Sequence, residues 1–148
     1  MFEKILLPIS GSEESISAIK FAVKCATEHN SQIIALHVVD VSVVRQLARH
    51  SGKSPGEVEV ELEETGWRYL FYAEEVAKDN KVRIIILLER GLPQERILAK
   101  AREHGADLII LGRVSRRGTY GISLEKSLQY VLEHASCPVL IITGSGKA

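Results

Sequence analysis

Leu108-Ile-Ile-Leu-Gly112-Arg-Val-Ser115-Arg-Arg-Gly118-Thr-Tyr-Gly121 and, after it, Ser127-Leu-Gln-Tyr-Val-Leu-Glu-His-Ala-Ser-Cys137-Pro138-Val-Leu-Ile-Ile142 read as a strand, a glycine-bearing loop, a helix and a final strand. The apolar runs show no polar alternation, so the strands are expected to be covered on both faces, as in a parallel sheet. A glycine-bearing loop leading into a helix is how open α/β sheets hold phosphates. Here the loop carries Arg113, Arg116 and Arg117 where such loops are usually bare.

Similar runs rich in β-branched residues occur at Lys4 to Ile9, Ser31 to Val39 and Val82 to Leu88, with Asp107 to Leu111 and Val139 to Thr143 completing five. Helical patterns separate them. Ser12 is an expected N-cap with Glu13 and Glu14 behind it, and Ile16, Ile19, Phe21, Val23 and Ala26 form the expected apolar stripe. A longer helix fits Pro55 to about Asp79, with Val58, Leu62, Tyr69 and Val76 on one side. Pro93 opens a third helix that Gly105 ends, and a fourth runs from about Ser123 to His134. Alternating strands and helices predict a single-domain, doubly wound α/β sheet with helices on both faces. Ligands of such sheets sit beyond the carboxyl ends of the strands, at Pro8 to Ser12, Val38 to Val44, Glu89 to Pro93 and Gly112 to Gly121. Asp40 to Pro55 reads as a short helix and surface loop over the sheet's edge, or as a lid over a ligand.

The 148 residues suit one domain that buries roughly 70% of its unfolded surface. The composition is 45% hydrophobic, and 19 basic side chains balance 19 acidic ones, so no global charge favours nucleic acid or an anionic membrane. No run approaches the ~18 apolar residues of a membrane span, and no basic region precedes an apolar leader, so the expected location is the cytoplasm. Cys25 and Cys137 have no metal-site spacing and are expected as buried small hydrophobes. The five histidines are scattered, and the chain shows no nucleophile elbow, paired carboxylates or activated cysteine, so no catalytic residue is assigned.

Ile5-Leu-Leu-Pro-Ile-Ser-Gly-Ser-Glu-Glu-Ser, Leu36-His-Val-Val-Asp, Gly91-Leu-Pro, Ala106-Asp-Leu-Ile-Ile-Leu-Gly112 and His134-Ala-Ser-Cys-Pro-Val-Leu-Ile-Ile, in that order, resemble the universal stress protein family. The resemblance implies a domain over residues 1–143; the small polar residues 144–148 at the terminus are expected to form a flexible tail. It implies a Rossmann-like fold of the adenine nucleotide alpha hydrolase-like kind, with strand order 3-2-1-4-5, and a homodimer through Val139 to Thr143. An apolar edge strand there also favours pairing on physical grounds.

One branch of that family binds ATP through a loop of pattern Gly-x2-Gly-x9-Gly-Ser/Thr, whose missing side chains let backbone N–H groups close on phosphates. In this chain Gly112 matches the first glycine, Ser115 falls on the second, and Glu125-Lys126 falls on the final pair. A carboxylate about 4 Å from a phosphate oxygen is repelled by on the order of 4 kcal/mol at an effective dielectric near 20. Ser10 stands where ATP-binding members carry an aspartate for the ribose, while Pro8 and Val38 match positions lining the adenine pocket.

The candidate nucleotide or anion site is therefore Pro8, Ser10, Val38, Gly112, Arg113, Ser115, Arg116, Lys126 and Ser127. The reading that follows is a dimeric regulatory or binding module in stress response that does not hold ATP in the usual pose. The alternative is an ATP or AMP binder, with or without slow hydrolysis, using Arg113, Arg116 and Lys126 for phosphates. Protein partners and small anionic ligands are open to either; nucleic acid is disfavoured because only Tyr120 interleaves the loop's charges.

Overall fold

The computed structural model describes residues 2–113 and 121–143, and of 121–126 the backbone alone. Five strands, β1 (Lys4–Pro8), β2 (Gln32–Asp40), β3 (Arg83–Gly91), β4 (Leu108–Gly112) and β5 (Val139–Ile142), form one sheet in the order β3-β2-β1-β4-β5. Every pairing is parallel. The fold is the expected Rossmann-like α/β sheet, and the winding reverses between β1 and β4.

Alternation along buried strands divides the core in two. Ile5, Leu7, Ile33 and Ala35 face one side with Ala18, Ile19 and Ala22 of α1 (Glu13–His29) and Leu70 and Ala73 of α3 (Pro55–Asp79). Leu6, Ile34 and Leu36 face the other, with Ile97, Leu98 and Ala101 of α4 (Pro93–His104) and Val131 of α5 (Gly121–His134). Successive residues of a strand point to opposite faces, so each run must be apolar throughout to feed both layers. Burying one such Leu or Ile contributes about 1.5–3 kcal/mol.

Local signals set the helix ends. The Ser12 hydroxyl accepts from the Ser15 amide at 3.1 Å, and Ser54 caps α3 by accepting from the Glu57 amide. Removing such a cap costs about 1 kcal/mol. Phe21 departs from expectation. It is 43% exposed, because two residues from Ile19 is about 200° around a helix; Ala18 and Ala22 complete the buried stripe instead.

Asp40 to Pro55 forms α2 (Val41–Ser51) followed by a short loop. Its Val44 packs with Val39 and Val58 in a third, small cluster. Cys25 and Cys137 are half-buried and not enclosed, and burial pushes both thiols up from their ordinary pKa. Among the described residues no helix is long and apolar enough to cross a membrane. Residues 144–148 lie outside the described residues.

Candidate functional site

Strand lengths open the site. β1 pairs with β2 only as far as Pro8 opposite Leu36, whereas β2 continues to Asp40 against β3. The last bond of the β1 side runs from the Ile9 amide to the Leu36 carbonyl at 2.8 Å. The Ile9 carbonyl would continue the ladder by accepting from Val38, but it accepts from Nδ1 of His37 at 2.6 Å. A carbonyl only accepts, so Nδ1 carries the proton and Nε2 of the neutral ring is the acceptor. Burial lowers the pKa of this imidazole from 6.5, while the bond to Ile9 works in the opposite direction.

Residues that point a backbone N–H and C=O toward β1 alternate along β2, and Leu36 is one of them. Val38 is the next. Its N–H and C=O therefore face the space that β1 vacates.

That space is a cleft of about 230 Å³. Pro8, Ile9 and Ser10 form one wall, and His37, Val38 and Asp40 lie along β2. Val43 of α2, Leu62 of α3, and Pro93 and Ile97 of α4 close it. Asp40 is buried, and its Oδ1 accepts from the Ser42 amide at 2.9 Å and the Ser42 hydroxyl at 2.6 Å, which starts α2 at the rim. A smaller compartment of about 70 Å³ shares Pro8, Ser10, Pro93 and Ile97 with the cleft and reaches Ser15, Gly112 and Ser127.

Gly112 is required here by packing. A Cβ on it would lie 2.4 Å from the Ser15 amide nitrogen, within the backbone of α1. The N-terminus of α1 turns inward on itself: the Gly11 amide donates to Ser15 Oγ at 3.0 Å, the Ser15 amide to Ser12 Oγ, and the Ile16 amide to the Ser12 carbonyl. On the far wall the Ser127 hydroxyl donates to Oε1 of Gln94 at 3.0 Å.

Five of the residues anticipated from sequence have described positions at or near this place. Pro8, Ser10 and Val38 line the cleft, and Gly112 and Ser127 line the smaller compartment. Arg113 is exposed just beyond, its amide donating to the Ile142 carbonyl at 2.7 Å. Ser115, Arg116 and Arg117 lie outside the described residues, as do the side chains of Glu125 and Lys126. Sequence reasoning missed His37 as a lining residue, together with Leu62 and Ile97. The His37 position at a strand's carboxyl end was a usable signal; Leu62 and Ile97 read as ordinary helix-stripe residues.

A sequence model described as the universal stress protein family matches residues 1–143. The chain belongs to the universal stress protein family. Universal stress protein MJ0531 of Methanocaldococcus jannaschii is 32% identical over 143 residues, covering 96% of this chain and 82% of that protein. Among solved structures, that of MJ0577 from the same organism superposes with a TM-score of 0.80 at 24% identity, covering 99% of each chain. A universal stress protein in complex with cAMP gives 0.69 at 20% identity, with 98% of each chain covered. Another, from Archaeoglobus fulgidus in complex with dAMP, gives 0.66 at 17%, with 97% of this chain and 98% of that one covered. At these identities the solved structures establish the universal stress protein fold of this chain.

Proposed function

We propose that this universal stress protein is a cytoplasmic, homodimeric regulatory binding module whose cleft takes the base and sugar of an adenine monophosphate-class nucleotide and does not hold ATP in the family's usual pose. The open N–H and C=O of Val38 carry this reading. An adenine edge offers a donor beside an acceptor, which such a backbone pair matches, and Pro8, Val38 and Ile97 supply apolar walls for the ring. The cleft, at about 230 Å³, is smaller than the roughly 300–1,000 Å³ of common small-molecule sites. That size suits the base and sugar of a nucleotide. The Gly11 and Ser15 amides at the start of α1 are taken up by the Ser15 and Ser12 hydroxyls, and Glu125-Lys126 falls where the phosphate-binding Gly-Ser/Thr pair of the ATP-binding branch would be. The cAMP and dAMP complexes of proteins with this fold point the same way.

The open outer edge of β5, with Leu140 38% exposed, supports the dimer. Calorimetry of the purified protein with AMP, cAMP and ATP tests the proposal. A monophosphate bound more tightly than ATP is the expected result, and micromolar affinity for ATP would overturn it. The exposed position of Arg113 beside the smaller compartment favours a second reading, in which Arg113, Arg116 and Lys126 hold a triphosphate. In that case R113A/R116A loses ATP without loss of fold.

A further inference from the structure

The outward face of α3 carries a surface that the nucleotide reading leaves unused. Val60, Trp67 and Phe71 are 54%, 37% and 54% exposed. Their spacing of seven and then four residues sets them on one stripe of a 3.6-residue helix. The Trp67 and Phe71 rings stack with centroids 5.6 Å apart and planes 22° from parallel. Tyr69 and Tyr72, on the other side of α3, pack into the core instead. The stripe thus lies on the side of α3 turned away from the core.

Acidic residues border these rings. Glu57, Glu64 and Glu75 are exposed. The ion pairs of this region use other glutamates: Lys53 with Glu61, Lys78 with Glu74, and Arg90 with Glu59. Among the described residues Glu57, Glu64 and Glu75 are in no ion pair; Arg68 is exposed next to Trp67, with its guanidinium donating to the Thr65 hydroxyl, and three carboxylates against one cation leave the border net negative.

From these observations we infer that the α3 face of Val60, Trp67 and Phe71, with Glu64 and Glu75 beside it, is a docking surface for a lysine- or arginine-rich amphipathic helical segment of a partner protein. Apolar side chains of that segment cover the rings, its cations pair with the glutamates, and guanidinium or ammonium groups also gain from the aromatic faces. Charge decides between occupants. A two-fold contact with a second copy sets the acidic border against itself, and an anionic membrane is repelled by the same carboxylates.

Trp67 is the chain's one tryptophan, so its emission reports on this face directly. The probe is a synthetic amphipathic helix of leucine and lysine, compared with a leucine and glutamate peptide of the same pattern. The expected result is a saturable blue shift with the first peptide and none with the second. Glu64→Lys together with Glu75→Lys should weaken binding at least about tenfold with an unchanged circular dichroism spectrum, as charge pairs of this kind do. Phe71→Ser should weaken it similarly. Equal affinity for both peptides, or unchanged affinity in the lysine variant, would overturn the proposal. So would a concentration-dependent shift of Trp67 without peptide, which assigns the face to a second copy, or a shift on anionic vesicles alone.

Discussion

His37 and Ile9 end the pairing of β1 with β2: the imidazole Nδ1 donates to the Ile9 carbonyl at 2.6 Å, the acceptor that the Val38 amide would otherwise use. One buried side chain therefore decides where the β1–β2 ladder stops and where the backbone N–H and C=O of Val38 begin to face the cleft.

This contact sets a pH dependence. Burial holds the folded-state pKa of His37 below 6.5, so the unfolded chain binds the proton more readily. The stabilisation is complete above about pH 6.5 and is lost as pH falls through the lower folded value. Urea midpoints measured from about pH 7.5 down to about pH 5 should fall on the acid side. His37→Phe should flatten that slope, and an unchanged slope would show that His37 is not its source.

Gly66 on α3 exists for the same imidazole. A Cβ at this position would meet His37 Cδ2 at 2.4 Å. Alanine there gains about 1 kcal/mol of helix propensity but overpacks a filled site at about 1–3 kcal/mol. Gly66→Ala should be net destabilising in chemical denaturation. In a His37→Ala background the same change should turn neutral or stabilising, because the imidazole clash is gone and the remaining contact, Leu88 Cδ1 at 3.0 Å, is the far end of a flexible side chain.

At the opposite wall, Gly112→Ala drives a methyl into the Ser15 backbone, which no rotamer can relieve. A loss of about 3 kcal/mol is expected. Thermal unfolding measures it. An unchanged unfolding midpoint would contradict that packing role.

Ser10 is exposed at the point shared by both compartments. A carboxylate there accepts from a ribose hydroxyl more strongly than a neutral hydroxyl does, by about 1 kcal/mol or more. Ser10→Asp should tighten AMP binding roughly five- to tenfold, read by calorimetry. Weaker binding would place the sugar elsewhere.

Much of this was legible in the chain itself. The five apolar runs became the five strands because both faces of each are covered, and Ser12, Pro93 and Gly105 mark helix ends through local chemistry that tertiary packing leaves intact. Pro8 and Val38 could be placed at a site because strand ends locate ligands in such sheets. Leu62 and Ile97 could not, since an apolar side chain looks alike in sequence whether it meets the sheet or a cleft. Phe21 was misread for a related reason: near a true stripe, a neighbouring aromatic residue resembles a member of it. Gly66 gave no signal at all, because its neighbour His37 lies 29 positions away in the chain.

The unequal lengths of β1 and β2 have a wider consequence. β2 outruns its partner by the four residues from His37 to Asp40, a terrace about 13 Å long at 3.3 Å per residue. The cleft is thus an omission in the weave of the sheet, and its depth is counted in residues of β1. Lengthening that strand by one ladder step would give the Ile9 carbonyl to the Val38 amide, displace the His37 imidazole from it and put backbone into the recess. Chain length at this one corner, as much as any side chain, determines what size of guest the molecule can admit.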